Sequence, residues 1–157
     1  MTWANPNAPN LPDYVLFTQG VMGISTVYLP ATSPFLGYAF IRAMQIVLNV
    51  PTSLAGIVYT LAVYNCAGHI QLTITPDQVV NGVSYTFFQD QRRSQDLLKT
   101  VQGVVASTSD QASSSAFATP DGLAQLTIED LGFMRTVWGR EYLAYAQSFG
   151  PTVWGLS

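Results

Sequence analysis

Two neighbouring stretches, TSPFLGYAFIRAMQIVLNVP and SLAGIVYTLAVYNCAGH, constrain the fold more than any other part of the chain. Ser33 stands directly before Pro34, and proline suits the first turn of a helix because its missing N–H needs no partner there. Pro51 blocks continuation at the other end. The punctuation predicts a helix from Pro34 to about Asn49. Within it Arg42, Gln45 and Asn49 are spaced by three and four, a narrow polar stripe on an otherwise apolar cylinder. The second stretch, with Ser53 as a candidate N-cap, is again apolar all round, with Thr60, Asn65 and His69 the few exceptions.

Helices of this kind need cover on nearly every side, from a deep core, another subunit or a bilayer. Each run falls short of the roughly 20 residues that span a membrane, and Arg42, Asn49 and Pro51 interrupt them. Cover by protein and no membrane is the expectation. A membrane-associated, holin-like helical hairpin is the competing reading, and it predicts a chain that needs detergent.

Charge sharpens this expectation. Only 10% of the 157 residues are charged, against about 25% in an average globular chain, while 48% are hydrophobic. So few charges coat a lone monomer poorly, and large exposed apolar patches mark interfaces. An oligomer or a subunit of a complex follows. The net charge of -3 argues against a phosphate-gripping nucleic-acid binder, which needs a basic face.

The length suits one domain. The start, MTWANPNAPNLPDY, has no basic segment followed by an apolar run and cleavage site, so it reads as a Pro/Asn arm rather than a secretory signal. Asp13 is a plausible N-cap and Gly23 a plausible stop for a short helix between them. Ile70, Leu72 and Ile74 alternate with polar neighbours, which fits a short strand or the end of the preceding helix equally. Asn81-Gly82 marks a turn, and SYTFFQDQRRSQDLLKT is helical in pattern.

From Gly103 to Gly122 the chain is small, polar and Ser-rich. Val104-Val105-Ala106 and Ala116-Phe117-Ala118 flank the centre, as two short strands around a tip or as a long loop. Thr127 three residues before Asp130 is a weak capping-box variant. Trp138, Tyr142, Tyr145 and Phe149 step by four, three and four, an aromatic face on a helix that Gly150 and Pro151 end. With Phe40 and Tyr64 they form the expected core. The apolar tail after Pro151, with Val153, Trp154 and Leu156, needs somewhere to dock.

The expected fold is therefore mainly α: a compact bundle of four or five helices. A single helical domain over residues 13–150 carries a Ser-rich β-hairpin or long loop at about 101–120. Extended arms lie at 1–12 and 151–157.

Chemistry is sparse. Cys66 is the only cysteine, which rules out an intrachain disulfide. His69, the only histidine, lies three residues on and could share its helix face. The pair would need an orienting third group to act as nucleophile and base, and more ligands to hold zinc. The small Cys/His enzyme is thus an alternative, set against a structural histidine and a buried thiol. Glu129-Asp130 are read as helix-start carboxylates facing the dipole. No phosphate loop, HExxH or GxSxG occurs, so neither a catalytic site, a metal nor a cofactor is expected. Arg92 and Arg93 among glutamines are either a solvated helix face or a docking patch.

VYTLAVYNCAGH, FFQDQRR and above all Leu123 to Ser157, with its DL, WGREYL, AQ, FG and WGLS elements, resemble the small head-to-tail adaptor (neck or connector) proteins of tailed bacteriophages. The resemblance covers about two thirds of the chain. It implies a virion structural protein made in the host cytoplasm. Its copies would form a ring, commonly twelve-fold, in the neck beneath the portal, joined to a tail or tail-nozzle protein. Packaged DNA would pass through the ring without specific binding and leave through it on ejection. It also implies that Pro151, Val153, Trp154 and Leu156 dock on the portal. Arg92, Arg93, Val104, Val105 and Phe117 become subunit-interface candidates, the last three through the Ser-rich segment. A tail terminator or stopper of the same neck is the alternative. The β-branched run Ile70 to Thr75 departs from the helix that such proteins continue there.

Overall fold

The computed structural model describes residues 3–47, 56–80, 82–98, 107–110, 113–116 and 128–149. Six helices account for most of them: α1 (Leu11–Gly20), α2 (Pro34–Val47), α3 (Gly56–Ile74), α4 (Phe87–Ser94), α5 (Ile128–Phe133) and α6 (Val137–Phe149). The fold is mainly α, as expected.

The α1 helix begins earlier than the sequence reading placed it. Asn10, not Asp13, is the N-cap: its side chain accepts from the Asp13 N–H at 2.9 Å and donates to the Asp13 carboxylate at 2.8 Å. Asn10 thus caps the helix and Asp13 holds the cap in place, with proline inside the first turn. The Asp13 carboxylate also accepts the N–H groups of Ala4 (2.9 Å) and Asn5 (2.8 Å). Those bonds, the Asn10 side chain first and then Asn5 and Ala4, hold its pKa below the ordinary carboxylate value. The helix ends at Gly20, and the chain turns away through Gly23 at φ +69°.

The residues expected as an extended arm at 1–12 are therefore fastened to the domain from Trp3 onward, and Leu11 and Pro12 are already helical. Trp3 meets the Tyr64 ring edge-on at 5.3 Å. The Tyr64 hydroxyl accepts from the Asn10 N–H (3.2 Å) and donates to its carbonyl (3.1 Å). Asn7 lies so close to Gly56 that a Cβ there would stand 2.4 Å from its carbonyl oxygen.

The α3 helix is the axis of the molecule. Every residue from Ala62 to Leu72 is buried. The undecided stretch after His69 is helical through Ile74: Ile70, Gln71 and Leu72 are all buried, so the alternating pattern does not separate a wet face from a dry one. Neighbours cover α3 on several sides, with α2 and α6 the most extensive and α1 and α4 adding smaller contacts. Trp3, Tyr14, Phe17, Phe40, Tyr64 and Trp138 form one aromatic cluster, ring centroids 5.3 to 6.4 Å apart.

Arg92 on α4 closes the C-terminus of α3. Its Nη1 donates to the Thr75 carbonyl at 2.6 Å and the Leu72 carbonyl at 3.4 Å, two acceptors that a helix end leaves unpaired. Asp77 in turn accepts the N–H groups of Phe88 (2.7 Å) and Gln89 (3.0 Å) at the start of α4, with Arg92 3.9 Å from the same carboxylate. Between these helices a small hairpin pairs β1 (Val79–Val80) with β2 (Val83–Ser84) around Gly82, at φ +77°. Of the helical pattern expected over residues 84–100, Phe87–Ser94 is helical, and residues 99 and 100 lie outside the described set.

The Ser-rich segment forms a second antiparallel hairpin, β3 (Ser107–Asp110) with β4 (Ser113–Ala116), in register Ser107 to Ala116 and Asp110 to Ser113. The strands run through the serine tract, and Ala116 of the second apolar triplet ends β4; Val104, Val105 and Phe117 lie outside the described residues.

Candidate functional site

The one pairing with chemical character, Cys66 and His69, is built into the core on α3. Both side chains are buried, and among the described residues no hydrogen bond joins them. Burial pushes the Cys66 thiol up to about 12, with Arg42 opposing weakly, and pushes the His69 imidazole down to about 4. A neutral thiol beside a weakly basic imidazole lacks the activation that a nucleophilic pair needs.

His69 is instead a bolt between helices. Its Nδ1 lies 2.8 Å from the Thr136 hydroxyl, which also accepts the Gly139 N–H at 2.8 Å and so caps α6. With a lone pair committed to Gly139, the hydroxyl proton is available to a neutral His69. Phe133, at the end of α5, packs against both His69 (4.5 Å) and Tyr142 (5.0 Å). The α5–α6 corner is tight enough that a Cβ on Gly139 would fall 2.0 Å from the Phe133 carbonyl oxygen. Among the described residues no group of three or more His, Cys, Asp or Glu side chains could hold a metal ion, and no helix is long and apolar enough to cross a membrane.

The expected core residues fall as follows. Tyr64 is fully buried and Tyr142 buried, while Phe40, Trp138 and Tyr145 pack partly buried against the core. The side chain of Phe149 lies outside the described set, as do the expected docking residues Pro151, Val153, Trp154 and Leu156. Of the two arginines read as an interface patch, Arg92 is committed to the end of α3 and Arg93 alone is exposed. Their adjacency in sequence hides opposite roles.

Sequence reasoning did not locate the open apolar face of α2. The sequence reading has α2 covered on nearly every side by core or by another subunit; within the chain it is covered on one. Leu36, Ala39, Ala43 and Val47 are buried, whereas Pro34, Tyr38, Ile41, Arg42 and Gln45 are exposed, Tyr38 at 57% and Ile41 at 59%. A second open surface lies at the α5–α6 corner, where Met134, Val137 and Glu141 are exposed, Val137 at 52%. The signal was available in the scarcity of charge, but not its address. No protein-family model matches the chain, and no curated protein or solved structure matches it either.

Proposed function

We propose that this chain is a structural subunit of a tailed-phage neck, a head-to-tail adaptor whose ring joins portal to tail and surrounds the DNA path. The observation that carries the reading is the open apolar face of α2. Tyr38 and Ile41 face solvent on a helix whose sequence demands cover, in a chain with too few charges to be a comfortable monomer. The resemblance of Leu123 to Ser157 to adaptor proteins supplies the biological setting, with about twelve copies, the portal and a tail or nozzle protein as partners. A weakly acidic chain suits a conduit through which DNA must slide without being gripped. On this reading the protein is no enzyme and needs no cofactor.

Attachment to portal-bearing capsids tests it. Full-length protein is expected to bind them, and deletion of residues 151–157 to abolish binding while leaving the helical fold intact. Within the tail, Trp154→Ala is expected to weaken attachment by about 2 kcal/mol or more, as buried aromatic anchors do. Normal attachment of the truncated chain would remove the docking arm. Binding to isolated tails but not to portal would favour the terminator or stopper.

A further inference from the structure

Residues 3–9 are held to the helical body at few points, and each can be named. The Ala4 and Asn5 N–H groups go to the Asp13 carboxylate, at 2.9 and 2.8 Å. The Asn7 and Ala8 N–H groups stay inside the segment, on the Asn5 side chain (3.3 Å) and the Asn5 carbonyl (3.4 Å). Pro6 and Pro9 have no N–H to give. Among the described residues, one carboxylate therefore takes every backbone N–H of residues 4–9 that leaves the segment. Apolar attachment is equally concentrated. Trp3 meets the Tyr64 and Phe17 rings at 5.3 and 6.4 Å, and Asn7 rests on Gly56, whereas residues 4–8 are exposed.

Such a segment is a unit of its own. Its inner bonds and two prolines keep its shape, while few buried contacts and an exposed backbone mark the parts of a protein that open well below the free energy of global unfolding. The hinge is Asn10. It stays behind when the segment lifts, because its side chain caps α1 and its N–H and carbonyl are both bonded to the Tyr64 hydroxyl.

We propose that residues 3–9 are a strap, latched by Asp13 and hinged at Asn10, that lifts from the aromatic cluster while the helices stay folded. Closed, the strap completes the cover of Tyr64 and Phe17, which are 0% and 2% exposed. Open, it bares part of both rings and frees the Trp3 indole. One movement thus creates an apolar surface and an apolar anchor. Two substitutions lift the strap from different points. Asp13→Asn replaces one accepting oxygen with an NH2 group that faces other donors. Gly56→Ala adds a Cβ that runs into the Asn7 backbone, and alanine suits a helix better than glycine, so α3 itself is not weakened.

Native-state hydrogen exchange of the full-length chain, read by NMR or mass spectrometry, tests the strap. In the wild type the Ala4 and Asn5 amides are expected to be protected, yet to exchange about tenfold or more faster than the amides of residues 62–72 and with little dependence on low denaturant. Each variant is expected to speed exchange over residues 3–9 by about tenfold or more and to leave residues 62–72 unchanged. Gly56→Ala keeps the test independent of the α1 cap, which Asp13→Asn also touches. A common exchange rate for residues 3–9 and α3 in the wild type, or a joint acceleration of both in Gly56→Ala, would overturn the strap, because the segment would then open only with the core. Unprotected Ala4 and Asn5 amides in the wild type would overturn it as well, since a latch must hold. So would a Gly56→Ala chain in which residues 3–9 keep their full protection.

Discussion

The helices α2 and α3 look alike in sequence and differ in the folded chain. Both are apolar nearly all round, yet α3 is buried along its length whereas α2 buries one side and leaves Tyr38 and Ile41 in solvent. The difference is position: α3 has neighbours on several sides, and α2 lies at the edge of the bundle. Hydrophobicity on every face of a helix therefore reports how much cover it requires in its final assembly, not how much its own chain provides.

Four perturbations would break or sharpen that contrast. The largest effect belongs to the axis. Tyr64→Ala should lower stability by roughly 4 kcal/mol, a fall in Tm on the order of 10 °C, because it empties the centre of the aromatic cluster. A loss under about 1 kcal/mol would mean that α3 is not the centre of the core.

Next comes acid. The folded-state pKa of His69, about 4, lies below its ordinary 6.5, so the unfolded chain takes up the proton first as pH falls. The stability tied to a neutral His69 is complete above about pH 6.5 and is lost as pH drops toward 4, about 3 kcal/mol across the window. Denaturant midpoints measured across that range should show the slope, and His69→Gln should flatten it. The lowered pKa of Asp13 adds a further loss at lower pH.

A smaller effect separates two buried tyrosines. Tyr64→Phe should cost about 1 to 2 kcal/mol, since the Asn10 N–H and carbonyl both lose their partner. Tyr14, whose hydroxyl is buried without a hydrogen-bond partner among the described residues, should accept Phe at no cost or with a slight gain. Equal losses in urea titrations would contradict this division. The smallest change belongs to the edge: Ile41→Ser should alter monomer stability by less than about 0.5 kcal/mol while reducing self-association. A large drop in Tm with unchanged association would reverse the roles assigned to α2.

How much could be read in advance follows the range of the interactions. Pro34 marked the start of α2 and the Trp138, Tyr142 and Tyr145 spacing marked α6, because those signals are local. The start of α1 lies at Asn10, three residues before the Asp13 read as its cap, because Asp13 is taken up by the N–H groups of Ala4 and Asn5 that fold back onto it. Ile70 to Ile74 stayed ambiguous because its helix end is closed by Arg92, 17 residues from Thr75. His69 was read as structural, but its partner Thr136, 67 residues away, was beyond any pattern in the sequence. Of the candidate site, the need for a partner was legible and the surface was not. Which side of an apolar helix faces outward depends on the layer it occupies.

The link between Asn10 and Tyr64 also orders events in time. Synthesis runs from the N-terminus, so Trp3 to Asn10 leave the ribosome before the ring and hydroxyl that hold them, and Tyr64 follows Asn10 by 54 residues. That segment must therefore wait, uncommitted, until α3 has emerged. What is made before its partner finds its place only after it.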